Sequence, residues 1–184
     1  FQRTVGEVLA LPIEHLSIYG LQIEEGTVFS SWEEQGKLIL PSEETVVQMY
    51  DWLLEYLPAN GFGRYEISNF AKPGGESRHN LKYWHYQPYL GFGSGACGFD
   101  GEVRQENPER VSEYVSWVKQ LQANPQKIAY EKLTSNQKMA EFCFMGLRTV
   151  EGILLKDFYN YFGVYLLDVY GESIKKALKE EWVW

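Results

Sequence analysis

The stretch from Tyr65 to Gly98, YEISNFAKPGGESRHNLKYWHYQPYLGFGSGACG, decides how the rest of the chain is read. It holds two of the three histidines, Trp84, a dense set of tyrosines and two glycine clusters. Tyr65-Glu66-Ile67-Ser68-Asn69-Phe70 alternates apolar and polar side chains, the period of a half-buried strand. Lys72-Pro73-Gly74-Gly75 interrupts it, because proline lacks an amide donor and glycine accepts positive φ. The run His79-Asn80-Leu81-Lys82-Tyr83-Trp84 follows, and across the whole stretch aromatic and polar residues alternate too irregularly for a helix and too richly for an ordinary surface loop. The expectation is a loop that carries a site on a rigid scaffold.

Outward from this stretch, 184 residues suffice for one domain or two small ones, with a real core. Hydrophobic content of 45% excludes a disordered chain. A formal charge of −8 argues against nucleic acid as a partner, since phosphate binding needs a basic surface. No run approaches the ~20 apolar residues of a membrane span, and no signal-peptide pattern is present. Cys97 and Cys143 are far apart and form no metal-spacing motif, which is the cysteine usage of a reducing cytoplasm.

Both ends read as cuts in a longer chain. Phe1, Val5, Val8 and Leu9 share one helical face with no cap before them, and Glu181-Trp182-Val183-Trp184 reads as an unpaired strand. Between these ends, His15 to Ile23 predicts a strand with both faces partly apolar, as in a parallel sheet or barrel. Thr27 to Leu40 reads as a loop anchored by Trp32. Ser42, followed by Glu43 and Glu44, caps a helix through Val46, Met49, Tyr50, Leu53 and Leu57, which Asn60-Gly61 stops. Helix, strand, helix, strand is the alternation of α/β units.

The texture changes near residue 105. Asn107-Pro108 predicts a helix start, Val111, Tyr114, Val115, Val118 and Leu121 line its face, and Asn124-Pro125 ends it. Thr134 with Gln137 predicts a capping box, and two further helices follow, Leu155 to Phe162 (stopped by Gly163) and Leu166 to Lys179. The expected division is residues 1–105 and a mostly helical 106–184.

Gly93-Ser94-Gly95-Ala96-Cys97-Gly98 has the spacing of a dinucleotide fingerprint. The fingerprint needs a helix after the glycines, and the acidic, turn-like Phe99-Asp100-Gly101-Glu102 follows instead. Close backbone approach to a neighbouring strand or a ligand is the reading kept. Zinc is not supported by the spacing of His15, His79 and His85. On the residues alone, His79 has two open readings: a hydrogen-bonded structural histidine, or an axial ligand for a flat macrocycle beside Tyr83, Trp84 and Tyr86.

Three segments resemble one family. They are Tyr65 to Gly74, Ser77-Arg78-His79-Asn80-Leu81-Lys82-Tyr83-Trp84, and Tyr89-Leu90-Gly91-Phe92-Gly93-Ser94-Gly95-Ala96. Together they resemble the signature of HemW-type radical SAM proteins, relatives of oxygen-independent coproporphyrinogen III oxidase. His15 to Leu21 and Glu24 to Thr27 match the same family in order, and Glu141 to Phe162 resembles its C-terminal helical domain. The resemblance implies an α/β fold: the second half of an incomplete (β/α)6 radical-SAM barrel, then a winged-helix-like helical domain.

It also implies a parent protein with heme or porphyrin as ligand, a [4Fe–4S] cluster and S-adenosylmethionine (SAM), and heme-acceptor proteins as partners. The C-x-x-x-C-x-x-C cluster motif is absent, so the cluster-binding half is expected to be missing and the fragment alone is not expected to be catalytic. By position, the resemblance puts His79 on heme iron with Tyr83 and Trp84 as walls, and Pro73-Gly74-Gly75 as a loop that opens for the guest. Tyr19, Leu21, Gln22, Ala96 and Cys97 fall on the SAM side. The H-N-x-x-Y-W run favours a heme chaperone; the alternative is an oxidase that decarboxylates porphyrinogen propionates.

Overall fold

The structure is a computed structural model that describes residues 1–123 and 131–183. The chain splits into two compact units, Phe1–Ser77 and Arg78–Trp184. The change of texture near residue 105 falls inside the second.

In the first unit, α1 (Gln2–Leu9) is followed by β1 (His15–Ser17), α2 (Val28–Glu34), α3 (Glu43–Ala59), β2 (Gly63–Arg64) and β3 (Asn69–Ala71). Helix α3 begins as the sequence predicts: the Ser42 hydroxyl accepts from the Thr45 amide at 3.2 Å, with Glu43 and Glu44 in the first turn. Gly61, at φ +87°, supplies the left-handed stop. Val5, Leu53, Leu57, Phe62 and Phe70 form the core, so α1 and α3 bury their apolar faces with β3. Filling it is worth roughly 1.5–3 kcal/mol per large apolar side chain.

Three expectations fail in this unit. The strand from His15 to Ile23 is only three residues long, and its pairing with β3 is antiparallel rather than parallel. The alternating run Tyr65–Phe70 is the turn of a hairpin, not one strand: β2 and β3 pair antiparallel, and the Tyr65 amide donates to the Asn69 carbonyl at 3.2 Å. Glu66 fixes that turn by accepting from the Ser68 amide and the Asn69 side chain, so the polar positions serve the turn and not a solvated strand face. Residues 28–34, expected as loop, are helical because the Thr27 hydroxyl accepts from the Ser30 amide; Trp32 stays exposed and anchors no core.

The second unit holds α4 (Arg78–Trp84), β4 (Cys97–Phe99), β5 (Val103–Glu106), α5 (Val111–Ala123), β6 (Glu131–Lys132), α6 (Ser135–Gly146), α7 (Leu155–Phe162) and α8 (Leu166–Lys179). Its sheet is antiparallel in the order β4-β5-β6. The core is Tyr86, Phe99, Leu133, Met139, Phe142, Phe158 and Leu166. The Thr134–Gln137 capping box is present, and Gly163 stops α7 at φ +70°. After α8, Glu181 turns at φ +58° and the Trp182 amide donates to the Ala177 carbonyl, so Glu181–Val183 caps a helix instead of forming the expected strand. Trp184 and the Asn124-Pro125 stop lie outside the described residues.

Asn107 is also not the helix cap the sequence suggested, since α5 begins at Val111. Its buried amide donates to the carbonyls of Gly91 (3.2 Å) and Gly93 (2.8 Å) and ties down the glycine-rich loop. Close backbone approach explains two of that loop's glycines, Gly91 and Gly98, and positive φ explains Gly93 (+103°) and Gly95 (+68°). A Cβ at Gly91 would collide with the Cys97 carbonyl oxygen, and one at Gly98 would sit 3.3 Å from the Gly91 nitrogen.

Candidate functional site

The H-N-x-x-Y-W run is helix α4, not a loop. A helix turns once in 3.6 residues, so positions four apart share a face, and the spacing from His79 to Tyr83 is four. Their side chains meet: His79 Nε2 and the Tyr83 hydroxyl share a hydrogen bond of 2.7 Å, with the rings edge-on at 4.9 Å. His79 is exposed, and its Nδ1 has no hydrogen-bond partner among the described residues.

Tyr83 is itself held. Its ring stands edge-on to Tyr89 at 4.5 Å. Tyr89 is locked to Phe99 of β4 by reciprocal backbone hydrogen bonds of 2.8 and 2.9 Å. Burial pushes the Tyr89 phenol up, partly offset by the Arg104 charge. Behind them Arg104 on β5 donates to both oxygens of Glu141 on α6, at 2.8 and 2.7 Å. Such a fork-to-fork pair fixes geometry as well as charge. Tyr86, buried at φ +53° just beyond the helix, donates to Glu141 at 3.4 Å; burial, then the Glu141 charge, pushes its phenol up.

Trp84 takes the other flank of α4. The Arg148 guanidinium lies 4.5 Å above its ring, a cation–π distance. The indole Nε1–H is buried without a hydrogen-bond partner among the described residues. His85 differs from His79: its Nε2 is 3.5 Å from Glu151, an exposed pairing across to the residues after α6. His15 is different again, bonded through Nε2 at 2.7 Å to the buried Tyr65 hydroxyl, which also accepts from the Ser77 amide. The Tyr65 phenol is pushed up by burial, with the Ser77 bond opposing.

His79 and Tyr83 are thus brought together on one short helix, and Trp84 stands on its other flank. Tyr19 (68% exposed), Leu21 (64%) and Gln22 lie in the irregular segment after β1, in the first unit. Gln22 lines a shallow concavity of about 310 Å³ with Ile23, Glu24, Thr27, Val28 and Phe29. Ala96 and exposed Cys97 belong to the second unit; the Ala96 carbonyl accepts from the Asn107 amide at 2.9 Å. The Pro73-Gly74-Gly75 turn packs down where an opening loop was expected. A Cβ at Gly75 would sit 2.8 Å from the Glu14 carbonyl oxygen, and the Lys72 amide donates to that carbonyl.

The residues present do not fit an iron–sulfur cluster. Three thiolates are needed, and the chain has two cysteines. Burial pushes the Cys143 thiol up to about 11, away from the thiolate a metal requires. No group of three metal-ligating side chains occurs among the described residues. Sequence reasoning missed the roles of Tyr89, six residues beyond Tyr83, and of Arg104, Glu141 and Arg148, which are distant in sequence; only the four-residue spacing of His79 and Tyr83 was there to be used.

Comparison with known proteins gives three findings. Residues 133–183 match the family described as the HemN C-terminal domain. The chain is 36% identical over 179 residues to the heme chaperone HemW of Lactococcus lactis subsp. lactis (strain IL1403), covering 96% of this chain and 46% of that one. It is 37% identical to HemW of Bacillus subtilis (strain 168), covering 98% and 47%, and 35% identical to a mitochondrial radical S-adenosyl methionine domain-containing protein 1 of Danio rerio, covering 83% and 36%. In fold it is similar to coproporphyrinogen III oxidase (HemN) from Escherichia coli, a radical SAM enzyme: TM-score 0.67 and 16% identity, over 98% of this chain and 44% of that one. The α/β architecture is the C-terminal part of that radical SAM fold. The chain spans about half the length of the HemW relatives it matches.

Proposed function

The chain belongs to the HemW-type family of radical SAM proteins, and from that premise we propose that it is part of a heme-binding protein that delivers heme to acceptor proteins. One observation carries the reading: α4 presents an exposed imidazole beside Tyr83, with Trp84 on the other flank of the same short helix. A flat, hydrophobic macrocycle needs an axial donor and apolar surface, and these residues offer both. His79 is the iron ligand through one imidazole nitrogen. Tyr83 and Trp84 form the wall, with Tyr89 and Arg148 fixing where those walls stand. The cargo supplies the iron; the chain's own residues bind, orient and later release it.

Tyr19, Leu21, Gln22, Ala96 and Cys97 are proposed for the SAM side of the whole protein, and the cytoplasm as its compartment. No helix among the described residues is long and apolar enough to cross a membrane. The fold likeness to HemN supports a second reading, porphyrinogen decarboxylation by the whole protein. The cluster that reaction needs does not fit the residues of this chain, so under that reading the rest of the protein holds it.

Hemin titration tests the first reading. His79→Ala should lose the shifted Soret band while His85→Ala keeps it. Loss of one axial bond should weaken binding well beyond the roughly tenfold that ~1.4 kcal/mol represents. If His79→Ala titrates like the wild type, the ligand is not His79.

A further inference from the structure

We propose that Tyr83 is a latch on His79: it closes on the nitrogen that iron needs, and heme capture must open it. The inference rests on the heme-binding reading of α4.

An imidazole has two nitrogens, and they are not equivalent toward a macrocycle. Nδ1 sits next to the ring carbon that carries the side chain, so a porphyrin coordinated there meets Cβ and the helix backbone. Nε2 is at the far end of the ring and is the open approach. In this structure Nε2 is the nitrogen bonded to Tyr83, at 2.7 Å. The tautomer does not change the outcome. If the phenol donates, the Nε2 lone pair is occupied; if Nε2–H donates, there is no lone pair to give.

Iron ligation therefore exchanges one bond for another. The Oη···Nε2 hydrogen bond breaks, Fe–Nε2 forms, the imidazole proton resides on Nδ1, and the phenol keeps its own. Release runs the exchange backwards, with Tyr83 recapturing Nε2 as iron leaves. Tyr83 is well placed for this because its ring is fixed against Tyr89, whose backbone is bonded to β4. The latch thus stays in position while His79, exposed, is the group that moves. A carrier that must hand on its cargo gains from such competition: apparent affinity falls by the fraction of protein in the open state.

The sign of one substitution tests this. Tyr83→Phe keeps the ring on Tyr89 and removes the hydroxyl. In the full-length protein it should bind hemin about two- to tenfold tighter than wild type, the range expected for one net hydrogen bond. The heme spectrum should not change, because the ligand atom is the same. In the heme-free protein the imidazole ¹⁵N resonances of His79 should move, because the Nε2 hydrogen bond is lost, while the gain in hemin affinity is the readout that a purely structural role would not give. In a His79→Ala background, Tyr83→Phe should have no effect on hemin binding. Equal or weaker hemin binding by Tyr83→Phe overturns the latch, as does an unmoved His79 ¹⁵N signal. If His79→Ala alone binds like wild type, the heme-ligand reading itself falls and takes the latch with it.

Discussion

The same contact occurs twice in this molecule with opposite consequences. His15 and His79 each bond to a tyrosine hydroxyl through Nε2 at 2.7 Å. In the first unit the tyrosine is buried, receives a second hydrogen bond from the Ser77 amide, and lies beside the β1–β3 pairing. On α4 the histidine is exposed, and its tyrosine stands edge-on to the ring of Tyr89. A hydrogen bond between two residue types therefore says nothing about role; what surrounds it does.

Stability should separate the two tyrosines most strongly. Tyr65→Ala removes a buried ring and the partner of both His15 and Ser77, and should cost about 3–5 kcal/mol in urea unfolding. Tyr83→Ala should cost about 1 kcal/mol, as expected for a half-exposed site. Equal losses would erase the distinction.

The scaffold behind α4 should respond next. Glu141→Ala leaves the Arg104 guanidinium without its bidentate partner at about 30% exposure, and should cost about 2 kcal/mol, below the figure for a fully buried pair. Thermal unfolding would show the loss, and Glu141→Gln should recover part of it.

A smaller effect is set by pH. The Cys143 thiol is raised from 9.0 to about 11 by burial, so the unfolded chain loses this proton first. Native protein then holds more protons than unfolded, and stability falls as pH rises through that window. Cys143→Ala should flatten the slope of unfolding free energy between about pH 9 and 10, and exposed Cys97 should be alkylated before Cys143. An unchanged slope counts against the burial.

The smallest expected signal concerns the cluster. After anaerobic reconstitution with iron and sulfide, this chain should retain less than stoichiometric iron, since Cys97 and Cys143 are its only thiols. Stoichiometric bound iron with a visible charge-transfer band would contradict that.

Much of the helical part was legible in sequence because capping is local chemistry. Ser42, Thr134 and Gly163 act within a few residues of themselves, and each does what its position predicts. The misreadings have three causes: a partner distant in sequence, a tight turn where the alternation predicts a strand, and a helix cap at Thr27. Asn107 looks like a cap but serves the glycine loop sixteen residues earlier. Glu66 and Ser68 look like a strand's wet face but close a hairpin. The site was legible by its residues and not by its geometry. H-N-x-x-Y-W contains the helical spacing of His79 and Tyr83, but the aromatic crowding read as loop. Tyr89 and Glu141 stood inside segments that resemble the family, but nothing local showed that Tyr89 packs on Tyr83 or that Glu141 pairs with Arg104.

The central claim is that the exposed member of the two His–Tyr pairs carries the heme. It is tested most directly by replacing each histidine with glycine and adding imidazole back. The account predicts that His79→Gly loses the ferric Soret band of the wild-type complex and regains it with imidazole, while His15→Gly keeps the band throughout. A His79→Gly protein with the wild-type band before imidazole is added, or a loss that follows His15 instead, would contradict it.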